Sequence, residues 1–140
     1  MIYETSSPLL IPKLLELAKL VPNLPIPELE KILINGISSP NTKILIEEKD
    51  DEVRGFLFAS IENFDGQDCC FVQVCAVKPT SESHIVPELV HRIKLWAKEK
   101  QVEYLYFMTR RNSKGFERKY HFDFYGTVLR KKVEEDVKSV

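Results

Sequence analysis

Cysteine is scarce in this chain, with three residues in 140, Cys69, Cys70 and Cys75. Cys69 and Cys70 are adjacent in an extended run and point to opposite faces. Cys69 and Cys75 stand about 20 Å apart at about 3.3 Å per residue, too far to share a metal. The expectation is three free thiols, buried as small hydrophobes in a cytoplasmic protein, and neither a redox centre nor a zinc site. His84, His91 and His121 have no metal-ligand spacing and read as surface residues. Nothing joins Cys75 to His84 or His121 as a nucleophile and its base, and a buried strand cysteine is inert. No apolar run approaches the roughly 20 residues that a membrane-crossing helix needs. The first eight residues lack a basic stretch leading into an apolar one, so no secretory leader is expected. There is no internal repeat and no low-complexity tract. A hydrophobic share of 44% beside 29% charged residues describes a soluble globular chain, and 140 residues suit one domain, 1–140.

Charge is near balance overall and lopsided locally. Val90 to Lys132 holds twelve Lys and Arg against four Asp and Glu, a net of +8, leaving −9 for the rest of a chain whose total is −1. The basic block reads either as one phosphate-facing surface or as solvated helix faces and strand ends.

The most organised stretch is Asp68 to Thr109. Asp68 to Pro79 is a near-continuous apolar run broken only by Gln73, as expected of a strand buried on both faces. From Glu88 to Lys100 the period lengthens, and Ile85, Leu89, Ile93, Trp96 and Ala97 form the apolar stripe of a helix. Val102 to Thr109 returns to β-branched and aromatic residues. Joined through a helix, this strand lies parallel to the first. Ligands in such units bind beyond the carboxyl ends of the strands, which directs attention to the joint between Val77 and Leu89.

Upstream, Met1 to Glu4 reads as an edge strand. Pro12 to Val21 and Pro27 to Ile34 read as helices started by their prolines, the second ended by Gly36. Thr42 to Glu48 and Val53 to Glu62 are strands joined by a hairpin at Lys49 to Glu52. Val53, Gly55, Leu57, Ala59 and Ile61 are placed on one face, Phe56 and Phe58 on the other, and Asp65-Gly66 makes the next turn. Downstream, Arg110 to Lys119 reads as a basic helix and Phe122 to Val133 as a closing strand. The segments are thus 1–41, a helical N-terminal segment; 42–79, a meander; 80–133, crossover helix, strand, helix and closing strand; and 134–140, a tail.

This order, together with Val74-Cys75-Ala76-Val77-Lys78-Pro79, Lys119-Tyr120-His121-Phe122 and Gly126-Thr127-Val128-Leu129-Arg130-Lys131, resembles the GNAT superfamily of acetyl-CoA-dependent N-acetyltransferases. The resemblance covers almost the whole chain. It implies an α+β fold with a mixed central sheet of about six strands, an antiparallel meander, a βαβ crossover and four helices. It also implies acetyl-CoA or CoA as cofactor. The pantetheine arm would pair with the main chain of Cys75, Ala76 and Val77. The pyrophosphate would sit on the loop of Ser83, His84, Ile85 and Val86, with Arg110 and Asn112 beside it.

Register on Pro79 sets Glu82, Ile85 and Pro87 at the family's three signature positions: an acid where a donor belongs, a branched side chain at the closest approach, and a missing N–H. Ser81 or Ser83 is available to cap the helix and consume further amides. At the catalytic end the same resemblance puts Glu117 where the proton-donating tyrosine stands and His121 where glycine stands. Tyr120, three places on and on the same helical face, is the other candidate acid. Its competing role is packing beside Phe116 and Phe124.

The expected function is a GNAT-fold binding or interaction module without ordinary acetyl transfer, with weak or absent coenzyme binding. The alternative is an N-acetyltransferase acting on an amine, in which Arg110, Arg111, Lys114 and Arg118 hold the phosphates through side chains. A second alternative is nucleic-acid binding by the basic region. Its candidate stacking residues Tyr104, Tyr106 and Phe107 read instead as core. The partner is a small-molecule amine or a protein. No membrane contact is expected, and homodimerisation through an exposed strand edge is open.

Overall fold

The computed structural model describes residues 1–108, 113–126, 129, 131 and 133. The chain begins with β1 (Ile2–Glu4), a 3-10 turn at Pro8–Leu10, α1 (Ile11–Ala18) and α2 (Ile26–Gly36). The 3-10 turn is capped by Ser7, whose hydroxyl accepts from the Leu9 amide at 3.3 Å. Pro12 and Pro27 sit in the first turns of α1 and α2, where no intrahelical acceptor waits for their absent N–H. Gly36 does not end α2 as expected but lies in its last turn. A Cβ there would come within 3.2 Å of Thr42 Oγ1, so the glycine allows close approach to the next strand.

The meander follows as β2 (Thr42–Lys49), β3 (Glu52–Phe64) and β4 (Gln67–Val77). Both hairpins are two-residue turns with both central residues at positive φ: Asp50 at 54° and Asp51 at 61°, Asp65 at 55° and Gly66 at 81°. That conformation matches the twist of the flanking strands, and Asp-Gly adopts it readily. Then come α3 (Ile85–Glu99), β5 (Leu105–Phe107) and α4 (Ser113–Tyr120). The helix α3 starts at Ile85, three residues before the Glu88 at which the sequence period lengthens, because Ile85 already belongs to the buried stripe with Leu89, Ile93, Trp96 and Ala97.

The sheet runs β1-β2-β3-β4-β5, antiparallel except for the parallel β4–β5 pair that α3 bridges. Phe122–Gly126, placed in a closing strand by the sequence, are irregular. The rest of that expected strand, apart from isolated positions, and the tail 134–140 lie outside the described residues. Five strands and four helices are therefore described, one strand fewer than expected.

Each face of the sheet has its own core. On one, α1 and α2 bring Leu14, Leu17, Leu29 and Leu33 against Ile44, Ile46, Phe56, Phe58, Val74 and Ala76. On the other, α3 brings Leu89, Ile93 and Trp96 against Leu45, Leu57, Ala59, Cys70 and Val72. Each fully buried Phe or Leu contributes about 1.5 to 3 kcal/mol over leaving it in water.

Two β-bulges decide which residue faces which core. Glu47 pairs with Gly55 and Glu48 with Val53, so Arg54 is an extra residue in β3. Val53 consequently joins Phe56 and Phe58 on the α1/α2 side, opposite to its expected face. Phe58 pairs with Val74 and Ala59 with Val72, so Gln73 is an extra residue in β4. Cys70 and Val72 face α3, while Val74 and Ala76 face the other way.

Candidate active site: the open edge of the central strand

The described pairing of β4 with β5 ends beside the bulge at Gln73. The parallel pairing covers Cys70 with Leu105, Phe71 with Tyr106 and Val72 with Phe107, and no described residue pairs beyond it. The Lys78 amide donates to the Arg54 carbonyl at 2.8 Å, which sets the phase of the β3–β4 ladder. In an antiparallel ladder the pairs alternate, so Ala76 and Val74 spend their backbone groups on β3. Cys75 and Val77 direct theirs to the open edge. Of the three residues expected to offer main chain to a pantetheine arm, Cys75 and Val77 turn their backbone groups away from β3 and Ala76 does not.

This edge runs into the loop before α3. The Ser81 amide is taken by the Lys78 carbonyl at 2.9 Å, that of Ile85 by Glu82 at 3.1 Å and that of Glu88 by His84 at 3.0 Å. The amides of Glu82, Ser83, His84 and Val86 have no acceptor among the described residues. They lie at the positive end of the α3 dipole, an arrangement suited to an anion.

The three signature replacements are less adverse here than their identities implied. Glu82 is not an unpaired acid: its Oε1 lies 3.1 Å from Lys49 Nζ and its Oε2 3.3 Å from His84 Nδ1. The hydrogen bond and charge of Lys49, with His84 beside it, hold this carboxyl below its ordinary pKa. Ile85 turns its side chain into the α3-side core, where it is 6% exposed, and so does not crowd the loop. Pro87 is the third helical residue, a position whose N–H needs no intrahelical partner. His84 is the N-cap and makes no side-chain cap bond, so Ser81 and Ser83 consume none of the amides.

The β2–β3 hairpin fastens this loop from the side. Besides Lys49 and Glu82, Lys78 pairs with Glu52, and Arg54 donates to Thr80 Oγ1. Two polar atoms buried in this region, Arg54 Nε and Ser81 Oγ, have no partner.

The half-buried Cys75 packs against the α3-side core, and desolvation pushes its thiol up to about 12, which leaves it protonated and unreactive near neutrality. Cys69 and Cys70 are also free and buried, so the reading of structural thiols stands. No group of His, Cys, Asp and Glu fit for a metal occurs among the described residues.

On α4, the Tyr120 ring packs on Phe116 at 4.7 Å, and Phe116 packs on Phe107 of β5 at 4.6 Å. Phe124 is 61% exposed and takes no part in that packing. Glu117 is half-buried, and its carbonyl accepts from the Phe122 amide at 3.1 Å. No described contact joins Tyr120 or Glu117 to the α3 loop. Arg110, Arg111 and Asn112 lie outside the described residues. Tyr104 is 53% exposed, contrary to its expected burial. It stands 6.3 Å from Tyr106, which packs on Phe64 at 4.9 Å.

One polar residue was passed over in the sequence. Gln73 Nε2 donates to Ser60 Oγ at 3.1 Å, and Ser60 Oγ donates to Glu62 Oε1 at 2.8 Å. Gln73 lines a small groove between α2 and β4 with Leu24, Pro25, Glu28, Leu29, Ile32 and Val74. Its interruption of an otherwise apolar strand was the available signal.

An antiparallel meander, a βαβ crossover and amides without acceptors among the described residues at the start of the crossover helix together define a GNAT-like fold. Solved structures with this fold match the chain along almost all its length. The aminoglycoside 6'-N-acetyltransferase AAC(6')-IG of Acinetobacter haemolyticus has a TM-score of 0.78 at 16% identity, covering 97% of this chain and 99% of that one. AAC(6')-Ih of Acinetobacter baumannii has 0.78 at 19% identity, with 96% and 98% covered. A predicted acetyltransferase of Clostridium acetobutylicum, solved with acetyl-CoA, has 0.76 at 16% identity, with 94% and 96% covered. No family model and no curated protein sequence matches the chain.

Two findings overturn the expectation of a binding module without acetyl transfer. The acid at Glu82 is paired with Lys49 and Ile85 is drawn into the core, so neither marks a degenerate loop, and the full-length structural matches are N-acetyltransferases. No helix among the described residues is long and apolar enough to cross a membrane.

Proposed function

We propose that this chain is an acyl-CoA-dependent N-acetyltransferase acting on an amine. The observation that carries the reading is the continuity of two features: the open backbone edge at Cys75 and Val77, and the free amides of Ser83, His84 and Val86 just beyond it. A pantetheine arm carries amides that can pair with such an edge as an added strand, and its diphosphate meets the helix N-terminus. Lys49 stands over the loop as a cation, and Arg110 and Asn112 are proposed as further cofactor contacts.

Acetyl-CoA supplies a thioester. An amine would attack its carbonyl, the C–S bond would break, the amine would give up a proton and the thiolate would take one. Tyr120 is proposed as the donor of that proton, because a phenol O–H can donate to a thiolate leaving group. Glu117, on the same helix, is the second candidate. Free thiols and an acyl-CoA substrate support the cytoplasm as location.

Calorimetric titration with acetyl-CoA and with CoA, at low and moderate salt, tests the reading. An assay of thiol release with a panel of amines, aminoglycosides first because structural matches act on them, completes it. Micromolar affinity and amine-dependent thiol release are expected. No heat with either coenzyme, or a steeply salt-dependent affinity for an oligonucleotide in its place, refutes it.

A further inference from the structure

We infer that Gln73 receives the acceptor amine through its side-chain carbonyl Oε1, held toward the groove by the chain that runs through Ser60 to Glu62, and that this selects a cationic acceptor. The inference rests on the N-acetyltransferase reading. Ser60 is 7% exposed and has one proton to give. An ionised carboxylate only accepts, so at 2.8 Å that proton belongs to Glu62 Oε1. Ser60 Oγ is then an acceptor toward Gln73, which must offer its NH2 group at 3.1 Å. The amide can satisfy this in one orientation only, and Oε1 is left facing away from Ser60.

Gln73 stands where this orientation matters. It is the bulged residue just past the last described pair of β4 with β5, and it lines the groove against α2. An arm that starts at the α3 amides and pairs along Val77 and Cys75 brings its thioester level with Gln73. The groove offers an apolar wall of Leu24, Leu29, Ile32 and Val74. It has one carboxylate, that of the exposed Glu28 in the first turn of α2. A carbonyl oxygen and a carboxylate over an apolar wall suit an ammonium on a carbon skeleton and disfavour an anion. Gln73 is a positioning residue here, with no proton to exchange.

The test compares Ser60→Ala, Ser60→Thr and Glu62→Ala, with spermidine and neamine as cationic probes and glycine as a zwitterionic one. Ser60→Ala removes the acceptor that orients the amide. Glu62→Ala frees the Ser60 proton to donate to Oε1, turning the NH2 group into the groove. Both are expected to raise KM for the cationic amines about tenfold, the loss of one hydrogen bond to a charged group, with kcat and the KM for acetyl-CoA unchanged. Ser60→Thr keeps the hydroxyl and stays near wild type.

Equal damage from Ser60→Thr, a parallel shift in the acetyl-CoA KM, or unchanged amine KM values overturn the inference. The side-chain amide resonances of Gln73, followed in labelled protein during a neamine titration, separate it from the transferase reading. Resonances that move in a protein that transfers no acetyl group refute the transferase reading and leave the recognition by Gln73 in place. Resonances that stay fixed refute that recognition at any rate of transfer.

Discussion

Gly55 lies opposite Val77, at the end of the open edge, and replacing it by alanine gives a sharp test of that edge's geometry. The ladder phase makes this a pair without mutual hydrogen bonds, the kind in which two strands come closest. A Cβ on Gly55 would stand 3.0 Å from Val77 Cγ2, 3.3 Å from the Ala76 carbonyl oxygen and 3.3 Å from Val77 Cα. Only the first of these atoms belongs to a side chain. Gly55→Ala therefore pushes on the main chain of β4 and is expected to cost about 1 to 3 kcal/mol, as overpacking does. At about 3 to 4 °C per kcal/mol for a chain of this size, Tm falls by roughly 3 to 12 °C. Val77→Ala removes the Cγ2 contact while the two backbone contacts persist. The double variant should thus be about 1 kcal/mol more stable than the sum of the singles, short of full recovery. Urea unfolding of the four proteins at one pH measures the coupling. Additivity within about 0.5 kcal/mol, or a Gly55→Ala protein with wild-type Tm, refutes the close approach.

Three further outcomes are expected. Glu82→Gln changes the affinity for CoA by less than about fivefold in calorimetry, because the acid it removes is already matched by Lys49 and is exposed enough to be screened; a larger gain would mean that the acid does oppose the phosphates. Tyr120→Phe lowers kcat by about a hundredfold or more with the acetyl-CoA KM unchanged if the phenol protonates the thiolate, whereas an unchanged kcat reduces Tyr120 to its packing on Phe116. Cys70 and Cys75, both pushed up to about 12 by burial, stay protonated when folded while the unfolded chain ionises near the ordinary thiol value of 9.0. Stability is therefore unaffected by them below that value and declines as pH rises from 9.0 toward 12, since the unfolded state then binds fewer protons. A disulfide thiol reagent at pH 8 should accordingly find them unreactive until denaturant is added.

What could be read from residues alone was whatever depended on local spacing. The α3 stripe from Ile85 to Ala97, the Asp65-Gly66 turn and the first-turn prolines are each specified within a few neighbours, and each appeared where expected. The strand faces failed where a partner strand decides. A continuous apolar run shows no change of period at a bulge, so the flips after Gln73 and beside Arg54 left no trace in β4 or β3 alone. The α3 loop failed for a related reason. Judged by identity, Glu82, Ile85 and Pro87 looked hostile to phosphate. Lys49 approaches from another strand, Ile85 is drawn into a core built by α3, and the helix register makes the missing proline N–H harmless.

The inserted Gln73 connects these observations physically. One extra residue in β4 shifts the side-chain alternation, so a strand that begins facing α3 through Cys70 and Val72 continues facing α1 and α2 through Val74 and Ala76. The same insertion increases local twist and coincides with the last described pair of β4 with β5, beyond which the outward backbone groups of Cys75 and Val77 pair with no described residue. The polar side chain at the insertion would be costly in either core, but at the bulge it reaches Ser60 and the groove beside α2. The bulge, more than any single side chain on the loop, therefore decides which side chains of β4 face each core and where the Gln73 side chain lies.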